Sequence, residues 1–257
     1  MSVRRKSTNM KFARFEVKGK KSYGIVDGDT VKEISAPPYE QYKETGATHP
    51  LSSVKLLAPV EPKKMLAMAL NYGSHLHGAA APSRPEPFFK THTSAIGPDD
   101  AIVLPKDSKK VDAESELVVV IGKTAKNVSE ADALDYVLGY TCGNDVSARD
   151  WQANDKSWWR AKSSDTFSPL GPWIVTGIDV TDLQITGRIN GKVVQSCRTS
   201  EMIFGVKATI ADISKYVTLE PGDCIFTGTS GTAGEMHPGD LVEIEIENVG
   251  ILKNKVQ

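Results

Sequence analysis

Three carboxylates, Glu114, Glu116 and Asp145, have the types and spacing of a cation site. Glu114 and Glu116 lead into the apolar run 117–121, whose β-branched residues are typical of a buried strand. Residues i and i+2 of a strand share a face, so the two glutamates repel unless a positive charge lies between them. An all-oxygen ligand set without His or Cys favours Mg²⁺, Mn²⁺ or Ca²⁺ over Zn²⁺. The alternative is a solvated strand edge with an unrelated N-cap aspartate.

Polar residues that follow Asp145 are candidates for substrate contacts. Asp145, Arg149 and Gln152 fall at i, i+4 and i+7, which predicts that they share one face of a helical turn. Lys162 lies in the aromatic-rich stretch 158–167, and a lysine held near a metal can bind a substrate oxyanion. The alternatives are a solvated helix face for Arg149 and Gln152 and a surface position for Lys162.

Two further segments carry candidate residues. His75 follows the predicted buried strand 64–70, and polar groups placed after such a strand are candidates for a site, although a structural histidine is the alternative. The proline-rich residues 79–87 suit a mobile lid. The loop 227–234 is either a plain turn or a source of backbone N–H groups and hydroxyls for a carboxylate.

The elements that must position these residues are mainly strands. Alternating residues in 11–34 with two Gly turns predict a small β-meander, and residues 35–59 are irregular with one short helix at most. We place three segments along the chain: a disordered, tag-like segment at 1–9, a small N-terminal β domain at 10–60 and the main domain at 61–257.

In the main domain the sequence predicts further strands and two helices. The strands cover 88–90, 101–105, 224–226 and 241–246, with a hairpin turning at Asn190-Gly191. A capping-box pattern that starts at Ser129 and ends at Gly139 predicts one helix, and the spacing in 209–216 predicts another.

Composition excludes several classes of protein. The 257 residues carry 31 basic and 32 acidic side chains, so no basic surface for nucleic acid or an anionic membrane is indicated. Three scattered cysteines, Cys142, Cys197 and Cys224, fit reduced thiols, and no apolar run reaches the length of a membrane span. We therefore expect a soluble, cytoplasmic protein.

Five motifs in order extend the argument from single residues to most of the chain. They are Asn-Tyr-x-x-His at 71–75, Val-Asp-x-Glu-x-Glu-Leu-x-Val-Val-Ile-Gly-Lys at 111–123, Asn-Asp-Val-Ser-Ala-Arg-Asp-x-Gln at 144–152, Lys-Ser-x-Asp-Thr-Phe-x-Pro-Leu-Gly-Pro at 162–172 and Pro-Gly-Asp-x-Ile-x-Thr-Gly-Thr at 221–229. Together they resemble the fumarylacetoacetate hydrolase family over about residues 64–256.

The resemblance implies a fold and a role for each candidate residue. The implied fold is an α+β, β-rich mixed roll with a small N-terminal β domain, usually in a homodimer that binds a small oxo acid. The implied metal is Mg²⁺, with Mn²⁺ or Ca²⁺ as alternatives. The implied roles are Glu114, Glu116 and Asp145 as metal ligands, His75, Lys162, Arg149 and Gln152 as catalytic residues, and Tyr72, Gly228 and Thr229 as substrate contacts.

The sequence departs from the family pattern at two places. Family hydrolases carry a glutamate three residues after the histidine, where it orients and charges the base that activates water. Here that position is Gly78, and the next carboxylate is Glu86. Residues 230–234 also differ from the usual Pro-x-Gly-Val-Gly.

Three functions follow from the resemblance and the departures. The main prediction is a Mg²⁺-dependent hydrolase that cleaves a C–C bond of a β-diketo acid, of the acylpyruvate or fumarylacetoacetate type, in aromatic or sugar-acid breakdown. The alternative is a tautomerase, isomerase or decarboxylase acting on a 2-oxo acid of the oxaloacetate or 2-hydroxydienoate type. A non-catalytic protein that binds metal and oxo acid is the third.

Overall fold

The computed structural model describes residues 9–76 and 78–257, so the prediction for 1–9 falls, apart from Asn9, outside the described residues. Five strands form the N-terminal region: β1 (Lys11–Val17), β2 (Lys20–Asp27), β3 (Thr30–Ile34), β4 (Glu44–Pro50) and β5 (Lys55–Leu57). The β-meander β1–β3 is confirmed. Residues 35–59 were expected to be irregular, but β4 and β5 pair with β3 and β1, which corrects that prediction.

The remaining strands and the helices follow in chain order. The strands are β6 (Met65–Ala69), β7 (Glu86–Lys90), β8 (Ala95–Ile96), β9 (Val111–Ala113), β10 (Ser115–Ile121), β11 (Val137–Asn144), β12 (Ser147–Ala148), β13 (Ser168–Val175), β14 (Gln184–Ile189), β15 (Lys192–Arg198), β16 (Cys224–Phe226), β17 (Gly234–Glu235), β18 (Leu241–Ile246) and β19 (Gly250–Lys255). The α-helices are α1 (Arg149–Asn154), α2 (Trp159–Ser163) and α3 (Val206–Tyr216). Single 3₁₀ turns cover Leu51–Ser53, Gly73–His75, His92–Ser94, Ala133–Tyr136 and Thr199–Glu201.

One large sheet connects the N-terminal strands to the main domain. Its order is β4-β3-β2-β1-β13-β11-β10-β16-β6-β7, with β5 on β1 and β8 on β13. A three-stranded sheet (β12-β9-β17) and a four-stranded sheet (β15-β14-β18-β19) complete the fold. The β-rich mixed α+β architecture with few helices is therefore confirmed. No helix in the described ranges is long and apolar enough to cross a membrane.

Strand β10 is buried along its whole length because both of its faces are covered. Leu117, Val119 and Ile121 enter a core cluster shared with the four-stranded sheet and α3. Val118 and Val120 enter a second cluster, which includes residues of the N-terminal region. A strand covered on both sides reads as a continuous apolar run, as this one does. Glu116 lies on this strand, and Glu114 directly precedes it.

Two predicted elements are wrong. The capping-box segment forms only a 3₁₀ turn, and β11 begins at Val137, where the helix was expected to continue. Gly139 lies inside β11 rather than ending a helix: a Cβ there would lie 2.4 Å from the carbonyl oxygen of Val175, so β13 can approach only a glycine. The predicted strand 101–105 reduces to an isolated bridge at Ile102.

Candidate active site and metal centre

The carboxylates of Glu114, Glu116 and Asp145 form a buried cluster, with one oxygen from each lying within 4.8 Å of the others. Antiparallel pairing of β10 with β11 places Ser115 opposite Asn144 and brings the three residues together. The backbone N–H of Asp145 donates to the carbonyl oxygen of Glu114 at 3.0 Å, which fixes the two chain segments to each other. Each of the three residues is at most 2% exposed to solvent.

The prediction that Asp145 shares a helical face with Arg149 and Gln152 is wrong for Asp145. Asp145 follows the end of β11, and α1 begins only at Arg149. Arg149 and Gln152 do lie on α1, where Nη1 of the arginine donates to Oε1 of the glutamine at 2.9 Å. The site therefore takes its aspartate from a strand end and its arginine from the following helix.

Two predicted cations contact the cluster directly. Lys162 Nζ lies 2.5 Å from Glu114 Oε2 and 2.9 Å from Asp145 Oδ2, and its side chain is almost completely buried. Arg149 donates from Nη2 to Glu114 Oε1 at 2.7 Å and from Nε to Asp112 at 2.8 Å. Positive charges thus surround Glu114, as the repulsion between the glutamates requires.

Sequence reasoning missed a third cation, Lys90 at the end of β7. Its fully buried Nζ contacts a carboxylate oxygen of Asp145 and the backbone carbonyl oxygens of Lys162 and Phe167. Phe88 and Lys90 share a face of β7, and this alternation is the signal that could have placed the lysine beside the cavity that Phe88 lines. Ser147 was also missed; its hydroxyl donates to Glu114 Oε2 at 3.0 Å.

The three carboxylates are in unequal electrostatic environments. Burial raises the pKa of Glu114, but Lys162 and Arg149 outweigh burial and hold that pKa well below its usual range. Burial and the charges of Asp145 and Glu114 raise the pKa of Glu116 well above its usual value. For Lys162, burial lowers the pKa, but Asp145 and Glu114 outweigh it and the net direction is upward.

Glu116 shows why a divalent ion fits this cluster. Among the described residues it forms no direct ion pair, and the Gly228 N–H donates to its Oε2 at 2.6 Å. A buried carboxylate without a cation is costly, and an ion held between Glu114, Glu116 and Asp145 would remove that cost. The buried acidic set is therefore consistent with a divalent metal.

His75 approaches the cluster from the 3₁₀ turn after β6. Its Nε2 lies 3.7 Å from Glu114 Oε1, and its Nδ1 lies 2.6 Å from the carbonyl oxygen of Gly231. Ser74 strengthens this connection, since the Gly231 N–H donates to its hydroxyl at 3.0 Å. Glu86, the first carboxylate after His75 in the chain, forms an ion pair with Arg84, and the side chain of Glu86 is half exposed.

The three predicted substrate contacts occupy different surroundings. Thr229 lines the cavity, but its hydroxyl already donates to the Ser115 carbonyl and accepts from Gln195. Gly228 supports Glu116 through its N–H. Tyr72 is fully buried in the core and is not among the residues that line the cavity.

A small cavity of about 40 Å³ adjoins the cluster. Its polar wall contains His75, Glu114, Glu116, Asp145, Gln152, Lys162 and Thr229, and its apolar wall contains Met68, Ala69, Leu70, Phe88 and Trp158. The rings of Phe88 and Trp158 meet edge to face at 5.3 Å between centroids. The arrangement places the acidic cluster, His75, Lys162 and an apolar wall around one small space.

Comparison with known proteins identifies relatives over nearly the whole chain. A family model described as fumarylacetoacetate hydrolase, C-terminal, matches residues 64–257, and one described as Rv2993c-like, N-terminal, matches residues 10–59. The mitochondrial oxaloacetate tautomerase Fahd2a of Rattus norvegicus is 40% identical, over 91% of this chain and 84% of its own length.

Two solved structures are similar in both sequence and shape. One is a 5-carboxymethyl-2-hydroxymuconate delta-isomerase from Mycobacterium smegmatis, with a TM-score of 0.92 and 41% identity over 96% of this chain and 99% of the other. The other is a maleylpyruvate hydrolase from Sphingobium sp. SYK-6 in complex with manganese(II) and pyruvate, with a TM-score of 0.81 and 31% identity over 96% and 98% of the two chains.

Proposed function

Because the chain belongs to the fumarylacetoacetate hydrolase family, we propose that it is a metal-dependent tautomerase or isomerase of a small 2-oxo acid, with oxaloacetate as the first substrate to test. The reaction moves one proton. The proton on the enol oxygen at C2 is removed, a proton is added at C3, and no carbon–carbon bond breaks. This reverses the order of the sequence predictions, in which hydrolysis came first.

The observation that carries the proposal is the contact between His75 Nδ1 and the backbone of Gly231. The Nδ1 atom faces the backbone carbonyl of Gly231, and the residue three positions after His75 is Gly78, which has no carboxylate. A carbonyl orients an imidazole but brings no net charge to strengthen it as a base. An enol hydroxyl gives up its proton far more readily than water does. A histidine held in this way is therefore better suited to tautomerisation than to the activation of water.

The residues that would hold the metal are Glu114, Glu116 and Asp145, and Mg²⁺ or Mn²⁺ fits their oxygen ligands. A bound divalent ion would add positive charge that stabilises the negative charge developing on the substrate oxygen.

Lys162 supplies charge from the protein itself. Its ammonium lines the cavity while Glu114 and Asp145 hold it, so it is oriented before substrate arrives. It donates to the substrate oxygen that becomes negative, and a donor fixed in advance does not have to reorganise during the reaction. Gln152 lines the same cavity and, held by Arg149, offers its amide to a substrate carboxylate.

His75 transfers the proton. When Nδ1–H donates to the Gly231 carbonyl, the neutral ring presents Nε2 as the proton acceptor, on the side facing Glu114. Nε2 takes the enol proton, and the protonated ring returns a proton to C3. The histidine ends the reaction in its starting form, and no other reactant is consumed.

The named relatives support this choice. The rat relative is named as an oxaloacetate tautomerase, and the Mycobacterium smegmatis structure is named as an isomerase. Cleavage of an acylpyruvate-type β-diketo acid is the second candidate, because the Sphingobium relative is named as a maleylpyruvate hydrolase and His75 lies beside the acidic cluster of this chain.

The test is the ketonisation of enol-oxaloacetate, followed by its loss of ultraviolet absorbance. We expect the protein with Mg²⁺ to exceed the rate with Mg²⁺ alone, and a chelator to abolish the difference. A rate equal to that of Mg²⁺ without protein would contradict the proposal.

A further inference from the structure

A lysine that no part of the proposed reaction uses, Lys90, lies between the residues that carry it. Its Nζ contacts three acceptors: one carboxylate oxygen of Asp145, the backbone carbonyl of Lys162 and, at 3.2 Å, the backbone carbonyl of Phe167. Three acceptors match the three N–H bonds of an ammonium, whereas a neutral amine has only two. These contacts join the carboxylate of Asp145 to the backbone at Lys162 and Phe167.

Two of these contacts fix Lys162 from opposite ends. The backbone carbonyl of Lys162 accepts directly from Lys90. The carboxylate of Asp145 then bridges the two lysines, with one oxygen on Lys90 and the other 2.9 Å from Lys162 Nζ. Lys90 thus holds both the backbone of Lys162 and the carboxylate on which its ammonium rests.

Helix α2 needs this support because it is very short. It spans five residues, Trp159–Ser163, and has no side-chain cap at its start. The last carbonyls of a helix have no partner within it, and so short a helix is not stable alone. The end of β7 provides the partners: Lys90 binds the carbonyl of Lys162, and the Thr91 hydroxyl donates to that of Ser163 at 2.9 Å.

We propose that Lys90 is a positioning residue, which acts on the reaction by setting the place and direction of the Lys162 ammonium. The inference rests on the proposed role of Lys162 in binding the substrate oxygen. It predicts that Lys90 and Lys162 contribute to oxyanion binding as one unit. Residues that act as a unit give non-additive effects when both are changed.

The experiment is a double-mutant cycle on the affinity for oxalate, measured by calorimetry with saturating Mg²⁺. The variants are Lys90→Met, Lys162→Met and the double variant. Each single variant should weaken oxalate binding by about 10-fold or more, the scale of supporting residues around a metal site. In the Lys162→Met background, Lys90→Met should change the affinity by less than about two-fold, because the group it positions is gone.

Lys64→Met is the matched control. Lys64 precedes the neighbouring strand β6 and pairs with Glu220 and Asp223, away from the cavity. Its replacement should lower the melting temperature and leave oxalate affinity unchanged. Mg²⁺ affinity, measured separately for every variant, shows whether saturation holds.

Two results would overturn the inference. One is an equal loss of oxalate affinity from Lys90→Met in both backgrounds, which is what a purely structural lysine produces. The other is no loss at all. If Lys90→Met does not fold, Lys90→Gln keeps two N–H donors for the carbonyls, and unchanged oxalate affinity in that variant also overturns it. If Lys162→Met itself leaves oxalate affinity unchanged, that result refutes the role of Lys162 in the proposed function, on which the inference rests.

Discussion

The Nδ1 atom of His75 lies 2.6 Å from the backbone carbonyl oxygen of Gly231, a residue 156 positions away in the chain. The contact joins the turn after β6 to the loop after β16. A second hydrogen bond, from the Gly231 N–H to the Ser74 hydroxyl, joins the same two segments. It fixes which nitrogen of the ring faces the acidic cluster.

Removal of the His75 side chain should separate proton transfer from binding. Loss of a general acid–base group costs roughly 10²- to 10⁴-fold in rate, so we expect His75→Ala to lower kcat for enol-oxaloacetate on that scale. Oxalate affinity should stay within about two-fold, since the oxyanion groups remain. His92→Ala, at another 3₁₀ turn outside the cavity, should change neither quantity. Equal rates for wild type and His75→Ala would refute the assigned role.

A carboxylate at position 78 should shift the protein towards hydrolysis. Gly78 has φ of +90°, and a Cβ there would meet no heavy atom within 4 Å in the described part of the chain. Gly78→Glu therefore has room but costs about 1–2 kcal/mol of backbone strain. We expect acylpyruvate cleavage to rise relative to ketonisation. Gly78→Gln carries the same strain without the charge, and an equal change in both variants would contradict this prediction.

Glu116→Gln should abolish divalent-ion binding without destabilising the metal-free protein. The loss of Mg²⁺ or Mn²⁺ affinity should exceed the roughly 10- to 100-fold loss that is typical when a residue supporting a metal ligand, and not the ligand itself, is replaced. The raised pKa of Glu116 means that its ionised form disfavours the folded state above the usual glutamate range, so glutamine removes a cost. Calorimetry and a melting curve in chelator test both parts. Glu243→Gln, at an ion pair with Lys253, is the control. Wild-type metal affinity in Glu116→Gln would refute the ligand assignment.

Stability around α1 should depend on pH through Asp150. Burial raises its pKa, but donors from Ser108 and Lys109 outweigh burial and the net direction is downward. A lowered pKa gives stability that is present above about pH 4, the usual aspartate range, and lost as pH falls through the folded value. Asp150→Asn should therefore cost stability at pH 7 and cost less near pH 3. Denaturant unfolding at both pH values measures this, and an equal cost at both would contradict it.

The strands could be predicted from sequence where local chemistry decides them. The Asn190-Gly191 turn gives the hairpin β14–β15, and the apolar run of β10 gives a buried strand. The helix predicted for residues 129–139 is wrong because the helical spacing of this segment competes with sheet pairing. The close approach of β13 to Gly139, which decides the outcome, involves a strand more than thirty positions away and leaves no local signal.

The site was partly predictable for the same reason. The period of two in a strand predicts that Glu114 and Glu116 point the same way, and their carboxylates do meet in one cluster, although Glu114 lies just before β10. The strand alternation could have placed Lys90 beside the cavity, but not its three acceptors, since Asp145, Lys162 and Phe167 come together only in the folded chain. The Gly231 carbonyl beside His75 could not be foreseen either, because a backbone acceptor has no residue type.

The most direct test compares two reactions of one preparation with Mg²⁺: ketonisation of enol-oxaloacetate and C–C cleavage of acetylpyruvate. A histidine oriented by a carbonyl, without a carboxylate at position 78, predicts that kcat/KM for ketonisation is higher by at least about 100-fold, or roughly 2.7 kcal/mol of barrier. Acetylpyruvate cleavage with an equal or higher kcat/KM would contradict the proposed function and restore the hydrolase as the better assignment.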